Sequence, residues 1–142
     1  MSVSISSSTG AVALIQTYYA AFNAGDMAQF LGLLSDDIIH DINQGGREIG
    51  KAAFAAFMAR MNRHYRENLT DLVVMANPEG TRAAAEFIVN GRYLVTDEGL
   101  PVAEGQTYRL PAGAFFEIRH GKVARVTNYY NLQDWIAQVD PG

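Results

Sequence analysis

The chain has 142 residues, a length that suits one domain around one core. With 49% apolar and 18% charged residues it reads as a folded globular protein, and its formal net charge of −4 argues against a general nucleic-acid or anionic-membrane surface. It contains no cysteine, which excludes disulfides, thiolate metal sites and cysteine catalysis.

Residues 1–8 are Ser-rich and carry no basic residue. No apolar run follows that is long enough for a signal peptide or a membrane span. They are expected to form a disordered or loosely attached tail, with residues 9–142 as a single domain and a cytoplasmic location as the default. From Thr9 the apolar residues Val12, Ile15, Tyr18, Tyr19 and Phe22 recur at helical spacing, with Thr9 to cap and Gly25 to stop the helix. Asp26 is the expected N-cap of a second, shorter helix whose stripe is Phe30, Leu33 and Leu34. Ser35-Asp36-Asp37 should end it, and a short strand is predicted from about Ile38 to Ile42.

Gly45, Gly46 and Gly50 break the chain before a third helix over about Lys51 to Tyr65, with Phe54, Phe57, Met58 and Met61 on its apolar face. The remainder reads as strands: Leu69 to Ala76, Arg82 to Val95, Thr107 to Arg119 and Lys122 to Tyr130. In the second of these, Ala83, Ala85, Phe87, Val89 and Tyr93 alternate with polar positions that include Glu86, Asn90 and Arg92, the mark of a half-buried strand. Tyr108, Leu110, Ala112, Ala114, Phe116 and Ile118 share one face of the third. His120-Gly121 makes a tight hairpin turn, and Asn131 to Ile136 a short closing helix. This order predicts an α+β fold with helices covering one face of a curved sheet.

The segment His40-Asp41-Ile42-Asn43-Gln44-Gly45-Gly46 concentrates an imidazole, a carboxylate and two amides where a strand opens into a glycine turn. Alternation sends His40 to one face with Ile38 and Ile42, and Asp41 to the other. A histidine among aliphatic residues should have a lowered pKa, which keeps it neutral and able to accept a proton. The other reading is a core histidine held by one hydrogen bond. A bulge would turn Asp41 and Asn43 inward and make Asp41 the base. Without one they form an Asx-type turn, and Arg47 sits on a rim loop.

The element order resembles the nuclear-transport-factor-2-like cone. So do Tyr18-Tyr19-Ala20-Ala21-Phe22-Asn23-Ala24-Gly25-Asp26, Ser35-Asp36-Asp37, and Phe115-Phe116-Glu117-Ile118-Arg119-His120-Gly121-Lys122-Val123. Within that superfamily the chain is similar to SnoaL-like and ketosteroid-isomerase-related proteins, from about Thr9 to Val139. The resemblance implies a cone-shaped, curved, largely antiparallel sheet wrapped around a pocket and covered by three N-terminal helices. It also implies a homodimer formed through the outer sheet surface. Tyr18 matches the family's oxyanion tyrosine. Ile42 falls where the isomerase base would be, or Asp41 after a one-residue slip. Ala114 or Gly113 falls where the isomerases keep a protonated aspartic acid, the group for which ketosteroid isomerase is a standard example. Two of three groups are thus replaced, which argues against steroid isomerisation.

The expected site is therefore His40 as proton carrier, Tyr18 as donor to a carbonyl or oxyanion, and Asp41 as the alternative base. Asn128, Tyr130, Asn43, Phe54, Tyr108 and Phe116 would bind a small, largely apolar carbonyl or hydroxyl compound. Asn128 needs a partner, which a ligand, water or His40 could supply. No cofactor is expected and no metal, because His40, His64 and His120 lack ligand spacing. Neither nucleic acid nor membrane is an expected partner. Each residue also has a structural reading, and together these describe a non-catalytic ligand-binding or interaction module. Arg60, Arg63, His64 and Arg66 suit the negative end of a helix dipole, and Trp135 should cover an apolar edge or meet a second subunit.

Overall fold

The computed structural model describes residues 7–142. In chain order the elements are α1 (Ser7–Ala24), α2 (Met27–Gly32), β1 (Leu34–Asp41), β2 (Arg47–Ile49), α3 (Lys51–His64), β3 (Tyr65–Ala76), β4 (Arg82–Tyr93), β5 (Thr107–Arg119), β6 (Lys122–Tyr130) and α4 (Leu132–Val139). Ser7 and Ser8, expected in the tail, already belong to α1, and the rest of that tail lies outside the described residues. The α1 stop is a Schellman arrangement: Gly25 takes φ 69°, its N–H bonds to Phe22 O, and Asp26 N–H bonds to Ala21 O. Asp26 then caps α2 by accepting from Gln29 N–H at 3.1 Å.

Six strands form one sheet in the order β2-β1-β6-β5-β4-β3. All neighbours are antiparallel except β1 and β6, which run parallel. The curved sheet and its helices give the cone expected from the sequence. Three irregularities fall within the sheet. One lies in β1 between Leu34 and Ile39, one beside Ala124 in β6, and one in β3, where Asp71 takes φ 56°. Such bulges bend strands and increase their twist. At the β3 bulge, Asn23 of α1 bonds both ways to the Leu69 backbone, at 2.9 and 2.8 Å. These bonds pin the first helix to the sheet's far edge.

The alternation read from the sequence is present in β4 and β5, whose inward-facing apolar side chains are buried apart from half-buried Ala112. The boundaries differ in three places. β1 begins at Leu34, earlier than Ile38, because Leu34 pairs with Val123 and so belongs to the sheet. The segment read as a rim loop contains β2, which pairs with His40 and Asp41 through Glu48 and Arg47. α3 passes into β3 with no intervening residue, so β3 starts at Tyr65. His64 is buried there: its ring Nδ1 lies 2.9 Å from Val95 O, and its carbonyl accepts from Leu94 and Val95 N–H. It therefore ties the last turn of α3, where Arg63 and His64 lie as expected, to a loop. α4 is capped by Asn131, and its Trp135 packs edge-on against Tyr65, Tyr93 and Tyr108. That answers the first of the two roles expected for Trp135.

Candidate functional site

The inner face of the sheet and helices α1, α2 and α3 enclose a cavity of about 350 Å³. His40, Tyr18, Asn43, Phe54, Tyr108, Asn128 and Tyr130 all line it. His40 is 2% exposed. Its ring stacks on Phe54 at 4.2 Å and meets the edge of Phe57 at 4.6 Å, so α3 supplies an apolar clamp. Burial holds its pKa down to about 4, only partly opposed by the neighbouring Asp41 charge. The imidazole is therefore neutral at physiological pH.

One side chain partners it. Asn128 Nδ2 lies 3.3 Å from His40 Nε2, an approach set by the parallel pairing that places His40 beside Val126. In this arrangement Asn128 donates, Nε2 accepts, and the ring proton sits on Nδ1. That Nδ1 is buried without a partner among the described residues. An unpaired buried N–H costs about 1–3 kcal/mol, a penalty that calls for an explanation.

Tyr18 and Tyr19 form a second wall. Both are nearly fully buried, and burial raises both hydroxyl pKa values, so each remains a donor across the physiological range. Tyr18 has no hydrogen-bond partner among the described residues, and Tyr19 Oη is buried and unpartnered. Tyr19 is a site residue that the sequence reasoning missed. Its adjacency to Tyr18 disguised it, since two neighbours on a helix rarely face one cavity. Asn43 serves the rim: its Nδ2 donates to Tyr130 O at 2.9 Å and its Oδ1 accepts from Tyr130 N–H at 3.3 Å. At another part of the wall, Tyr108 donates to Glu67 at 2.6 Å and Tyr65 donates to Asp97 at 2.8 Å.

Two expected site residues stand elsewhere. Asp41 is not part of the cavity wall. It lies on the outer face, bound by Arg47 at 2.6 and 3.1 Å and by the Thr127 hydroxyl at 2.6 Å. The Arg47 hydrogen bond is the main reason its pKa falls to about 2. The inward turn that would have made it a base needs a bulge next to it. The irregularity in β1 instead lies upstream of Ile39, and Asp41 pairs in register with Arg47 and Thr127. Phe116 is also absent from the wall. It is fully buried behind the two tyrosines, with ring centroids 5.4 Å from Tyr18 and 6.1 Å from Tyr19. Ile42 borders the cavity, and Ala114 is buried opposite Asn128 in the sheet register. Neither offers a side-chain donor or acceptor.

The profile of the SnoaL-like domain matches residues 15–126. The chain is 70% identical to a protein from Pseudomonas putida KT2440 whose crystal structure is provisionally named a polyketide cyclase. That match covers 91% of this chain and 97% of the other, with a TM-score of 0.90. A protein from Xanthomonas campestris pv. campestris with the same provisional name is 61% identical, over 95% of this chain and all 100% of its own, at a TM-score of 0.93. An NTF2-like protein from Burkholderia xenovorans LB400 shares the fold at 18% identity and a TM-score of 0.72, covering 94% and 98% of the two chains. No match was found among curated proteins.

Proposed function

Because the chain belongs to the SnoaL-like domain family, we propose that it is a small acid–base enzyme acting on a cyclic or polyketide-like carbonyl compound without a bound cofactor. The observation that carries this reading is His40: a neutral imidazole, 2% exposed, in the wall of an apolar cavity and held by one partner at 3.3 Å. Similarity to two proteins provisionally named polyketide cyclases supports the substrate class.

The chemistry follows from the pKa. A histidine held near 4 is always available as a base but is a weak one. It can remove only a proton that the substrate and site have already made acidic. Hydrogens on carbon between two carbonyls meet that condition. Tyr18 and Tyr19 add to it by donating to the enolate oxygen as charge develops there. His40 Nε2 takes the proton, and the Asn128 amide turns from the imidazole toward the substrate carbonyl. The enolate then attacks a second carbonyl, closing a ring, or is reprotonated at another carbon. His40, now protonated and strongly disfavoured in its apolar surroundings, returns the proton. Steroid isomerisation is not proposed, since Ile42 and Ala114 stand where that reaction needs carboxyl groups.

Turnover of a panel of cyclic ketones and β-dicarbonyl compounds by His40→Ala tests the assignment. Loss of activity is expected. Unchanged turnover would remove His40 as the base and leave a ligand-binding module.

A homodimer through the outer sheet surface also belongs to this proposal. Met75, Ala84 and Phe115 pair in one row across β3, β4 and β5, and Tyr129 packs on Phe115. Val73, Met75, Phe115 and Tyr129 are each about half exposed, an apolar patch that a second copy would cover.

A further inference from the structure

The cavity wall carries a second polar group that the proposed chemistry does not use. Glu67 on β3, Gly91 on β4 and Tyr108 on β5 are directly paired in one row across three strands. Tyr108 reaches over the middle strand to donate its hydroxyl proton to Glu67 Oε2 at 2.6 Å. Only glycine permits this path. A Cβ on Gly91 would fall 2.2 Å from Tyr108 Cζ and 2.5 Å from its hydroxyl oxygen. The Glu67 carboxyl is thereby held in the cavity wall by one oxygen, while Oε1 has no partner among the described residues. Burial raises the Glu67 pKa, partly offset by the Tyr108 hydrogen bond, as expected of a carboxyl kept from bulk water.

Glu67 and the His40–Asn128 pair stand apart along the sheet. Asn128 is paired with Ala114 on β5, six residues from Tyr108. That separation is roughly 20 Å of extended strand, shortened through space by the curvature of the sheet. Side chains reach inward from both ends and each hydrogen bond spans about 3 Å, so a ligand of two or three rings fills the interval. Between the two ends the wall is apolar, with Leu69, Phe87, Val89, Leu110 and Ala112. A wall of this kind suits a flat, apolar body with a polar group at each end.

We infer that Glu67, positioned by Tyr108 across Gly91, is a specificity-determining residue whose free oxygen hydrogen-bonds a hydroxyl on the end of the ligand remote from His40. The carbonyl at the near end rests on the acid–base reading above, whereas the hydroxyl at the far end does not. The preferred substrates are then hydroxylated ring ketones rather than simple ketones. A ligand that fills the cavity without the hydroxyl displaces water from Glu67 Oε1 and leaves it unpaired, and that penalty is what discriminates.

The test compares binding of two probes by the full chain: 2-acetylnaphthalene and 6-acetyl-2-naphthol, which differ only in a hydroxyl at the end opposite the carbonyl. Wild type should bind the naphthol roughly tenfold more tightly. Glu67→Leu should bring the two affinities together while keeping the affinity for 2-acetylnaphthalene. Tyr108→Phe leaves the carboxyl but frees it to swing, and should cut the preference to about threefold or less even if Glu67→Leu fails to fold. His40→Ala should leave the ratio intact. No preference in wild type would overturn the inference, as would a failure of both probes to bind at millimolar concentration or a preference that survives Glu67→Leu and Tyr108→Phe. Unchanged turnover in His40→Ala with the ratio still dependent on Glu67 would remove the base and leave this binding role standing.

Discussion

His40 and Asp41 are adjacent in the chain and sit in opposite surroundings. His40 faces the cavity, stacked on Phe54, with a pKa lowered by burial to about 4. Asp41 faces outward, bound to Arg47 and Thr127, with a pKa lowered mainly by a hydrogen bond to about 2. In the first case an apolar environment rejects charge; in the second, a partnered environment retains it. The outer face continues this pattern. Arg125 bonds to Thr127 and pairs with Glu117, which also pairs with Arg82. Two residues that look like a ready-made acid–base pair in one dimension are separated by the two-residue period of the strand. Adjacency on a strand therefore places side chains apart, and hydrogen-bond partners are found across strands, as Asn128 is for His40.

The largest effect that would break this contrast is on turnover. His40→Ala should reduce kcat/KM on an accepted β-dicarbonyl substrate by about 100-fold or more, the usual contribution of a positioned base. Asp41→Asn should change it less than about threefold, as suits a group outside the cavity. Comparable losses in steady-state kinetics would mean that the two faces do not divide the work.

Next in size is a pH effect on stability. His40 has a folded pKa near 4, below the ordinary value of 6.5, so the unfolded chain binds its proton first. Stability should fall as pH drops from about 6.5 to about 4, by about 3 kcal/mol, and level off below. Denaturant titrations of wild type and His40→Phe should differ in that window. A parallel pH dependence in both proteins would place the titration elsewhere.

The outer face sharpens the comparison in solution. Phe115→Glu puts a charge into the apolar patch and should shift sedimentation from dimer to monomer at micromolar concentration. A wild-type protein that is monomeric at that concentration would remove the dimer proposal outright.

The smallest effect belongs to the ion pair. Arg47 and Asp41 are both solvent-accessible in part, so screening leaves the pair only a small contributor to stability. Asp41 titrates low, so its contribution is present above pH 4 and disappears as pH falls toward 2. The stability difference between wild type and Asp41→Asn should close over that interval. A gap that persists at pH 2 would mean that packing, not charge, holds this corner.

Much of the fold was legible because period-2 alternation survives in β4 and β5 and because Asp26 and Gly25 carry unambiguous helix punctuation. The inward placement of His40 and the outward placement of Asp41 followed from the same period. β1 was shortened because Leu33 and Leu34 fit a helical stripe as well as a strand, and Ser35-Asp36-Asp37 looked like its end. β2 is three residues long, too short to carry a pattern. The start of β3 was hidden by the run Arg63-His64-Tyr65-Arg66, which imitates a basic helix terminus. Phe116 shares its face with residues that do border the cavity, and alternation alone cannot tell a wall from the layer behind it. Glu67 was missed for a different reason: its partner comes from two strands away. Its one local signal was Gly91, an isolated glycine inside an otherwise strong strand, which marks a close approach without naming what approaches.

The direct passage of α3 into β3 has a consequence for redesign. Phe54 and Phe57, which clamp His40, and Glu67, at the other end of the cavity, lie on one uninterrupted length of backbone. His64 anchors its midpoint to the loop at Leu94 and Val95. Moving the helix outward to admit a bulkier molecule would drag the carboxyl with it and unseat the imidazole. Room should instead be made by trimming side chains, with Met61→Ala as the first choice, since it borders the cavity between the two ends of that segment and clamps neither.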